Sequence, residues 1–232
     1  MPKLEGSGVI ELRRYALHPG ARDTLIELFE CELVEPQEEV GMRVLGTFRD
    51  VDDPDAFVWL RGFAGMPARA DALQAFYGGP VWADHRVAAN ATMIDSDNVL
   101  LLRPADEGSR LPLDASRRRP AAGFASVTIC PLDPGGADTF AAVFDRELEP
   151  ALTRAGANVR ARFITEHSEN TFPALPVREG EEVFVWLSLF ADRTAQREHE
   201  AAIDLGAFLD GHLAGEHETV RLEPTPRSLL PD

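Results

Sequence analysis

Cysteine is scarce in this chain: Cys31 and Cys130 are the only two in 232 residues. They form neither a CxxC pair nor a zinc-ligand spacing, so a disulfide framework and a structural metal are not expected. Basic residues are in deficit, with 23 Lys and Arg against 39 Asp and Glu, a formal net charge of −16. Such a surface repels phosphate backbones and anionic lipid heads, so neither nucleic acid nor membrane is an expected partner. Arg117-Arg118-Arg119 is a local exception. Beside a proline and without interleaved aromatics, it reads as solvated linker rather than an RNA site. No segment approaches the ~18 consecutive apolar residues of a membrane span. The opening MPKLEGSG lacks the apolar stretch of a signal peptide. A soluble, cytoplasmic protein is the expectation. There is also no GxSxG, no Walker loop and no dinucleotide fingerprint.

What is present is repetition. FVWL occurs at Phe57–Leu60 and again at Phe184–Leu187, an offset of 184 − 57 = 127. The match extends to AFVWLRGFAG over VFVWLSLFAD, and at the same offset His85 falls on His212. Upstream, LHPGARDTLIELFECEL lies over LDPGGADTFAAVFDREL at an offset of 134 − 19 = 115. Two blocks in the same order indicate duplication. The 12-residue difference between offsets is an insertion in the second copy, which the turn-rich segment Glu166 to Glu181 can hold. The division is a first repeat over 1–103, a polar, proline-bearing linker over 104–122, and a second repeat over 123–232.

Each repeat reads β-α-β-β-α-β. VIELRRYAL, MRVLGTFRD, AFVWLRGF and NVLLL have strand character. PGARDTLIELFECELVEPQ reads as a helix opened by proline, and PARADALQAFY as a second helix. This is the split βαβ unit of ferredoxin-like folds. Helices cover one sheet face, and the bare face of each repeat is buried by the other. The fold class is therefore α+β, two tandem ferredoxin-like repeats packed sheet to sheet as an internal pseudo-dimer. FVWL would be the central strand of each, buried on both sides.

The segments ELRRYALHPG, AFVWLRGF and PARADALQAFYGGPVWADHR resemble the NIPSNAP family of the dimeric α+β-barrel superfamily, over roughly Val9 to Pro104. Glu11, Arg13 and Tyr15, followed by Pro19-Gly20, carry much of the likeness, and Trp59 and Arg69 add to it. The second repeat looks like a diverged copy. The resemblance implies a fold more firmly than an activity, because the wider superfamily includes cofactor-free monooxygenases, haem-degrading oxygenases, isomerases and proteins with no known chemistry.

Side chains alternate along a strand, so Glu11, Arg13 and Tyr15 share one face, as do Phe57, Trp59, Arg61 and Phe63. The expectation is that this polar and aromatic face points into the barrel, with Ile10, Leu12, Val58 and Leu60 beneath the helices. Arg13 and Arg61 would clamp a carboxylate or enolate, Tyr15 would serve as hydrogen-bond donor or acid/base, and Phe57, Trp59 and Phe63 would form the wall. In the second repeat Ser126, Thr128 and Cys130 fall on Glu11, Arg13 and Tyr15, and Ser188 falls on Arg61. Small residues opposite large ones suggest one asymmetric pocket, with Ser126, Thr128 and Ser188 supplying space. The same charges also fit a purely structural ion network, and both readings stand.

No cofactor is called for by a motif. The related haem-binding proteins imply His85 as a haem ligand, against the simpler reading of a helix-end histidine among charged neighbours. Cys130, before Pro131, reads as a packing residue. Two function classes follow. One binds, and in a further step oxidises or isomerises, a small, partly apolar anion. The other is a non-catalytic module that docks a partner or a further copy of itself. An open lumen lined by Arg61 would favour the first, a filled one the second.

Overall fold

The computed structural model describes residues 6–113 and 123–230. Arg117–Arg119 and the first five residues lie outside the described residues. The first repeat runs β1 (Val9–Leu17), α1 (Arg22–Leu28), a π-helical turn (Phe29–Leu33), α2 (Val34–Glu39), β2 (Arg43–Asp50), β3 (Ala56–Phe63), α3 (Met66–Tyr77), α4 (Pro80–Asn90), β4 (Met93–Asp95) and β5 (Val99–Pro104). The second runs β6 (Phe124–Leu132), α5 (Ala137–Val143), a π-helical turn (Phe144–Leu148), α6 (Glu149–Arg154), β7 (Asn158–Thr165), β8 (Glu182–Phe190), α7 (Arg193–Ala202), α8 (Leu205–Leu209) and β9 (Glu218–Pro224).

The repeated Pro-Gly pairs do not open the helices. They form the turn that releases β1 and β6, because Gly20 and Gly135 sit at φ 76° and 78°, where side-chain-bearing residues are strained. The π-helical turn recurs at the same place in both repeats. It sets Phe29 against Trp59 at 4.8 Å and Phe144 against Trp186 at 5.3 Å between ring centroids.

The strands run in the order β3-β2-β9-β6-β8-β7-β5-β1, and β1 pairs with β3 to close an eight-stranded antiparallel barrel. The first and third strands of each repeat are neighbours, as the split βαβ reading requires. The repeats join edge to edge, through β2 with β9 and β5 with β7. Each last strand thus docks on the other repeat's second strand, and the internal pseudo-dimer is complete within one chain. Short β4, which the sequence reading lacks, adds to β1 outside the ring.

Every residue of β3 is buried, so the repeated FVWL is a strand covered on both faces. The faces, however, are the reverse of the expectation. Ile10, Leu12, Val58 and Leu60 fill the lumen together with Val127, Phe163, Val185, Leu187 and Leu222. Tyr15, Phe57, Trp59 and Phe63 lie beneath the helices with Leu25, Phe29, Leu73 and Phe76. Period-2 alternation separates two faces without saying which one is covered by what. An eight-stranded ring has an interior just wide enough for side chains to fill, and mainly strand residues reach it. Guanidinium groups there would find few acceptors, whereas the helix layer supplies them.

The insertion falls where the offsets place it. β1 and β2 map onto β6 and β7 at 115, and the FVWL strands map at 127, so the 12 extra residues lie in the loop 166–181 between β7 and β8. That loop leaves its own repeat, and Phe172, Leu175 and Val177 pack against the helix-side core of the first. After β5, a 3₁₀ turn (Glu107–Ser109) leads to Leu111, which is fully buried in the lumen core, and to Pro112, which bridges Gly6. The polar stretch after Arg103 therefore begins as packed structure. Among the described residues no helix is long and apolar enough to cross a membrane.

Candidate functional site

Antiparallel pairing of β1 with β3 sets Glu11 opposite Arg61, Arg13 opposite Trp59 and Tyr15 opposite Phe57. Residues directly opposite on one face are in side-chain contact range. The predicted convergence of Arg13, Tyr15, Trp59 and Arg61 is therefore found, but under the helices. Trp59 lies between the charges, its ring 5.6 Å from the Arg13 guanidinium and 5.1 Å from that of Arg61. Phe63 contributes a second ring 5.6 Å from Arg61. Phe57 is one layer away, edge-on to Tyr15 at 6.3 Å.

One carboxylate sits at the centre. Glu11 Oε2 accepts from Arg13 Nη1 at 2.6 Å and from Arg61 Nε at 2.8 Å, and Oε1 accepts from Arg69 Nε at 2.6 Å. Glu11, Arg61 and Arg69 are 0% exposed and Arg13 is 1% exposed. Burial by itself would push the Glu11 pKa up. The attraction of Arg61, Arg13 and Arg69 outweighs it and holds the carboxyl well below its ordinary range. Tyr15 goes the other way, raised chiefly by its burial. It therefore stays a neutral phenol.

Among the described residues, the ion pairs of these three arginines all end on Glu11. Three positive charges against one negative leave a formal excess of +2 in a water-excluded layer, an expensive arrangement. Neutral acceptors offset part of it. Arg61 Nη1 donates to Gln37 Oε1 and to the Tyr77 hydroxyl, each at 3.3 Å, and Arg13 Nε donates to the Tyr15 hydroxyl at 3.0 Å. Arg69 Nη1 donates across the repeat boundary to Asn170 Oδ1 at 3.1 Å and Thr171 Oγ1 at 3.3 Å. Arg69 Nη2 and Trp59 Nε1 are buried donors with no hydrogen-bond acceptor.

Beside the cluster is a cavity of about 30 Å³, lined by Tyr15, Trp59, Gln37, Phe76, Tyr77 and Trp82, among others. A water needs roughly 10–15 Å³ of such space, so the cavity has room for a pair of waters or a small anion. Both tyrosine hydroxyls accept from guanidinium groups, which leaves each O–H free to donate. Phenol and indole groups line this mainly apolar void, and the guanidinium groups adjoin it through the tyrosine hydroxyls, an arrangement that can hold a carboxylate or stabilise an enolate.

The second repeat contributes nothing to this site from its strands, which corrects the asymmetric-pocket expectation. Ser126, Thr128 and Ser188 lie on β6 and β8 in their own repeat, where Thr128 Oγ1 meets Thr219 Oγ1 at 3.0 Å. Cys130 is buried beneath the helices of that repeat. The lumen between the repeats is filled, and the void found there is about 20 Å³, lined by residues such as Leu12, Val58, Val127 and Val220. Sequence reasoning missed Arg69, Gln37 and the insertion's Asn170 and Thr171 as members of the site. Arg69 had a signal: at the 127 offset it falls on Gln196, another charge exchanged for a neutral group. Gln196 is buried and donates to the Ala125 carbonyl at 3.0 Å. Nothing in the spacing marks Asn170 or Thr171, since only folding brings the insertion to the other repeat.

His85 lies on α4, half-buried, with Nε2 3.7 Å from Glu32 Oε2. It does not line the cavity beneath α4, which is far too small for a macrocycle. These residues do not form a haem pocket. Its repeat partner His212 sits in a turn after α8, stacked on Phe208 at 6.3 Å.

Residues 10–107 match the model of the NIPSNAP family. Among solved structures, a candidate monooxygenase from Lactobacillus acidophilus superposes with a TM-score of 0.57 at 14% identity, covering 96% of this chain and 97% of its own. An anthrone oxidase-like protein gives 0.57 at 14% identity, over 96% and 93%. These likenesses establish the fold. A NIPSNAP-like domain protein from Burkholderia xenovorans is 24% identical over 45% of this chain and 90% of its own, with a TM-score of 0.41. No curated protein matches the sequence.

Proposed function

We propose that, in this chain whose residues 10–107 match the NIPSNAP family and whose strands close an α+β barrel, the helix-covered face of the first repeat binds a small, partly apolar anion. The excess of two positive charges around Glu11, buried beside a small void edged by the Tyr15 and Tyr77 side chains, carries this reading. A bound anion supplies the missing counter-charge and an acceptor for donors such as Trp59 Nε1. The surrounding aromatic rings suit an apolar body attached to the charge.

The chemistry within reach is proton transfer. Tyr15, neutral and held at its oxygen by Arg13, can donate its proton to an enolate or carbonyl oxygen in the cavity, with the guanidinium groups stabilising negative charge. That supports polarising the carbonyl of an enolisable acid and stabilising its enolate, with Tyr15 and Arg61 in those roles and Glu11, Arg13, Phe57, Trp59 and Phe63 shaping the site.

Formate and acetate titrations, followed by thermal unfolding and tryptophan fluorescence at matched ionic strength, test the binding step. The expected result is a saturable rise in Tm that Trp59→Phe weakens, since this change removes the indole N–H while keeping an aromatic ring. A response no larger than that of chloride would sink the proposal. The filled lumen favours the competing class, a non-catalytic docking module. Its signature is a full fold with no anion response.

A further inference from the structure

The cavity of about 30 Å³ is too small for an organic acid with a sizeable apolar body. The loop 166–181 explains how a larger ligand could enter. Resting on the anion-site reading, we propose that Asn170, Thr171 and Phe172 are a built-in occupant of a second subsite. In this subsite an arylalkyl carboxylate would place its carboxylate on Arg69 and its ring on Tyr77.

The loop already presents that chemistry. Asn170 Oδ1 and Thr171 Oγ1 take the acceptor positions on Arg69 Nη1 at 3.1 and 3.3 Å. Phe172 lies over Tyr77, ring centroids 5.8 Å apart and planes 30° from parallel. An oxygen pair on a guanidinium, followed closely by an aromatic ring, is the pattern of an arylalkyl carboxylate. The occupant is the weaker partner, because neutral oxygens bind a guanidinium less strongly than a carboxylate does and leave the +2 excess standing. Arg69 Nη2, without an acceptor, is the second prong that a bidentate carboxylate would engage.

The loop is anchored at both ends and folds its tip on itself. Its ends are hydrogen-bonded to β5, Glu166 N to the Leu101 carbonyl and Arg178 N to the Val99 carbonyl, each at 2.9 Å. Between these anchors the tip holds its own shape. Asn170 Nδ2 donates to the Leu175 carbonyl at 3.0 Å, Phe172 N to Asn170 Oδ1 at 3.1 Å, and Leu175 N to the Phe172 carbonyl at 3.0 Å. An open groove of about 740 Å³ runs between the loop and the Pro131–Pro134 turn of its own repeat, giving the tip somewhere to go. That groove is lined by Glu166, Glu169, Glu179, Glu181 and Glu182, so it repels the anion that Arg69 attracts. The first repeat has only residues 51–55 between β2 and β3, so this device acts in one direction, from second repeat to first.

The test is calorimetric titration of the full chain with 3-phenylpropionate, alongside Phe172→Ala, the pair Asn170→Ala/Thr171→Ala, and Arg69→Gln. Removing the occupant raises the fraction of open sites, so both loop variants should bind 3-phenylpropionate about tenfold more tightly. Arg69→Gln, a side chain the second repeat already tolerates at the matching position, should lose that gain. In the unmodified protein, 3-phenylpropionate should also abolish the ring contact of Phe172 with Tyr77, read as a lost NOE between the two rings, a readout that needs no variant. Unchanged or weaker binding by the loop variants, or binding indifferent to Arg69→Gln, overturns the occupant. If formate binds while the loop variants gain nothing, this inference fails alone. If formate also fails to bind, the anion-site reading falls with it.

Discussion

Replacing Glu11 by Gln removes one charge and almost no volume, and it tests the electrostatic account of the site directly. The carboxylate takes hydrogen bonds from Arg13, Arg61 and Arg69 at 2.6, 2.8 and 2.6 Å, all in a layer from which water is excluded. An amide offers one oxygen and one N–H₂. Whichever way it turns, its donor faces a guanidinium that had an acceptor, and three positive charges are left without a counter-ion. Breaking a buried ion pair by removing one partner costs about 3–5 kcal/mol. For a protein of this size each kcal/mol lowers Tm by roughly 2–4 °C, so Glu11→Gln should melt roughly 6–20 °C below the parent. Urea denaturation with a fixed m-value gives the free energy directly. Glu11→Ala provides the complement, since it opens space where the carboxyl stood. Acetate should restore part of its stability and do little for Glu11→Gln, whose amide fills that space. A loss below ~1 kcal/mol for Glu11→Gln would refute the reasoning, because the guanidiniums would then have other counter-charges or water.

Further expectations concern pH, thiols and the lumen. Glu11 has a folded pKa below its unfolded value of about 4.3, so its contribution is complete above that value and is lost as pH falls through the folded pKa. The stability gap between the parent and Glu11→Gln should stay level from about pH 7 to about pH 5 and narrow below about pH 4 in urea melts; a gap constant into acid would count against the pairing. Cys31 is exposed, whereas Cys130 is buried and its thiol is pushed up to about 12 by that burial. A chromogenic disulfide reagent at neutral pH should therefore react quickly with one thiol in the native protein and with two in denaturant. Leu60→Ala and Leu187→Ala each remove a lumen side chain that is 1% or less exposed. Each should cost about 2–5 kcal/mol, and the two should be similar despite lying in different repeats. Haem titration should give no Soret band dependent on His85, since that side chain does not line the cavity under its own helix.

The duplication and the order of the eight barrel strands were legible in the chain itself, whereas short β4 was not. Two copies of FVWL and of Pro-Gly require the same local geometry twice, and local geometry follows from local residues. Alternation along β1 and β3 likewise determined that Glu11, Arg13 and Tyr15 share a face, and that Phe57, Trp59, Arg61 and Phe63 share theirs. Which face meets the helices was decided by the tertiary structure alone, since a strand pattern is symmetric under exchange of its two sides. Closure of eight strands leaves a lumen that side chains, nearly all from the strands, can fill, and apolar residues fill it. The arginines are left on the side where Gln37, Tyr77 and the insertion supply acceptors. Asn170 and Thr171 reach Arg69 across 101 and 102 residues of sequence. No spacing rule announces that contact, because it exists only once β5 and β7 have joined the two repeats.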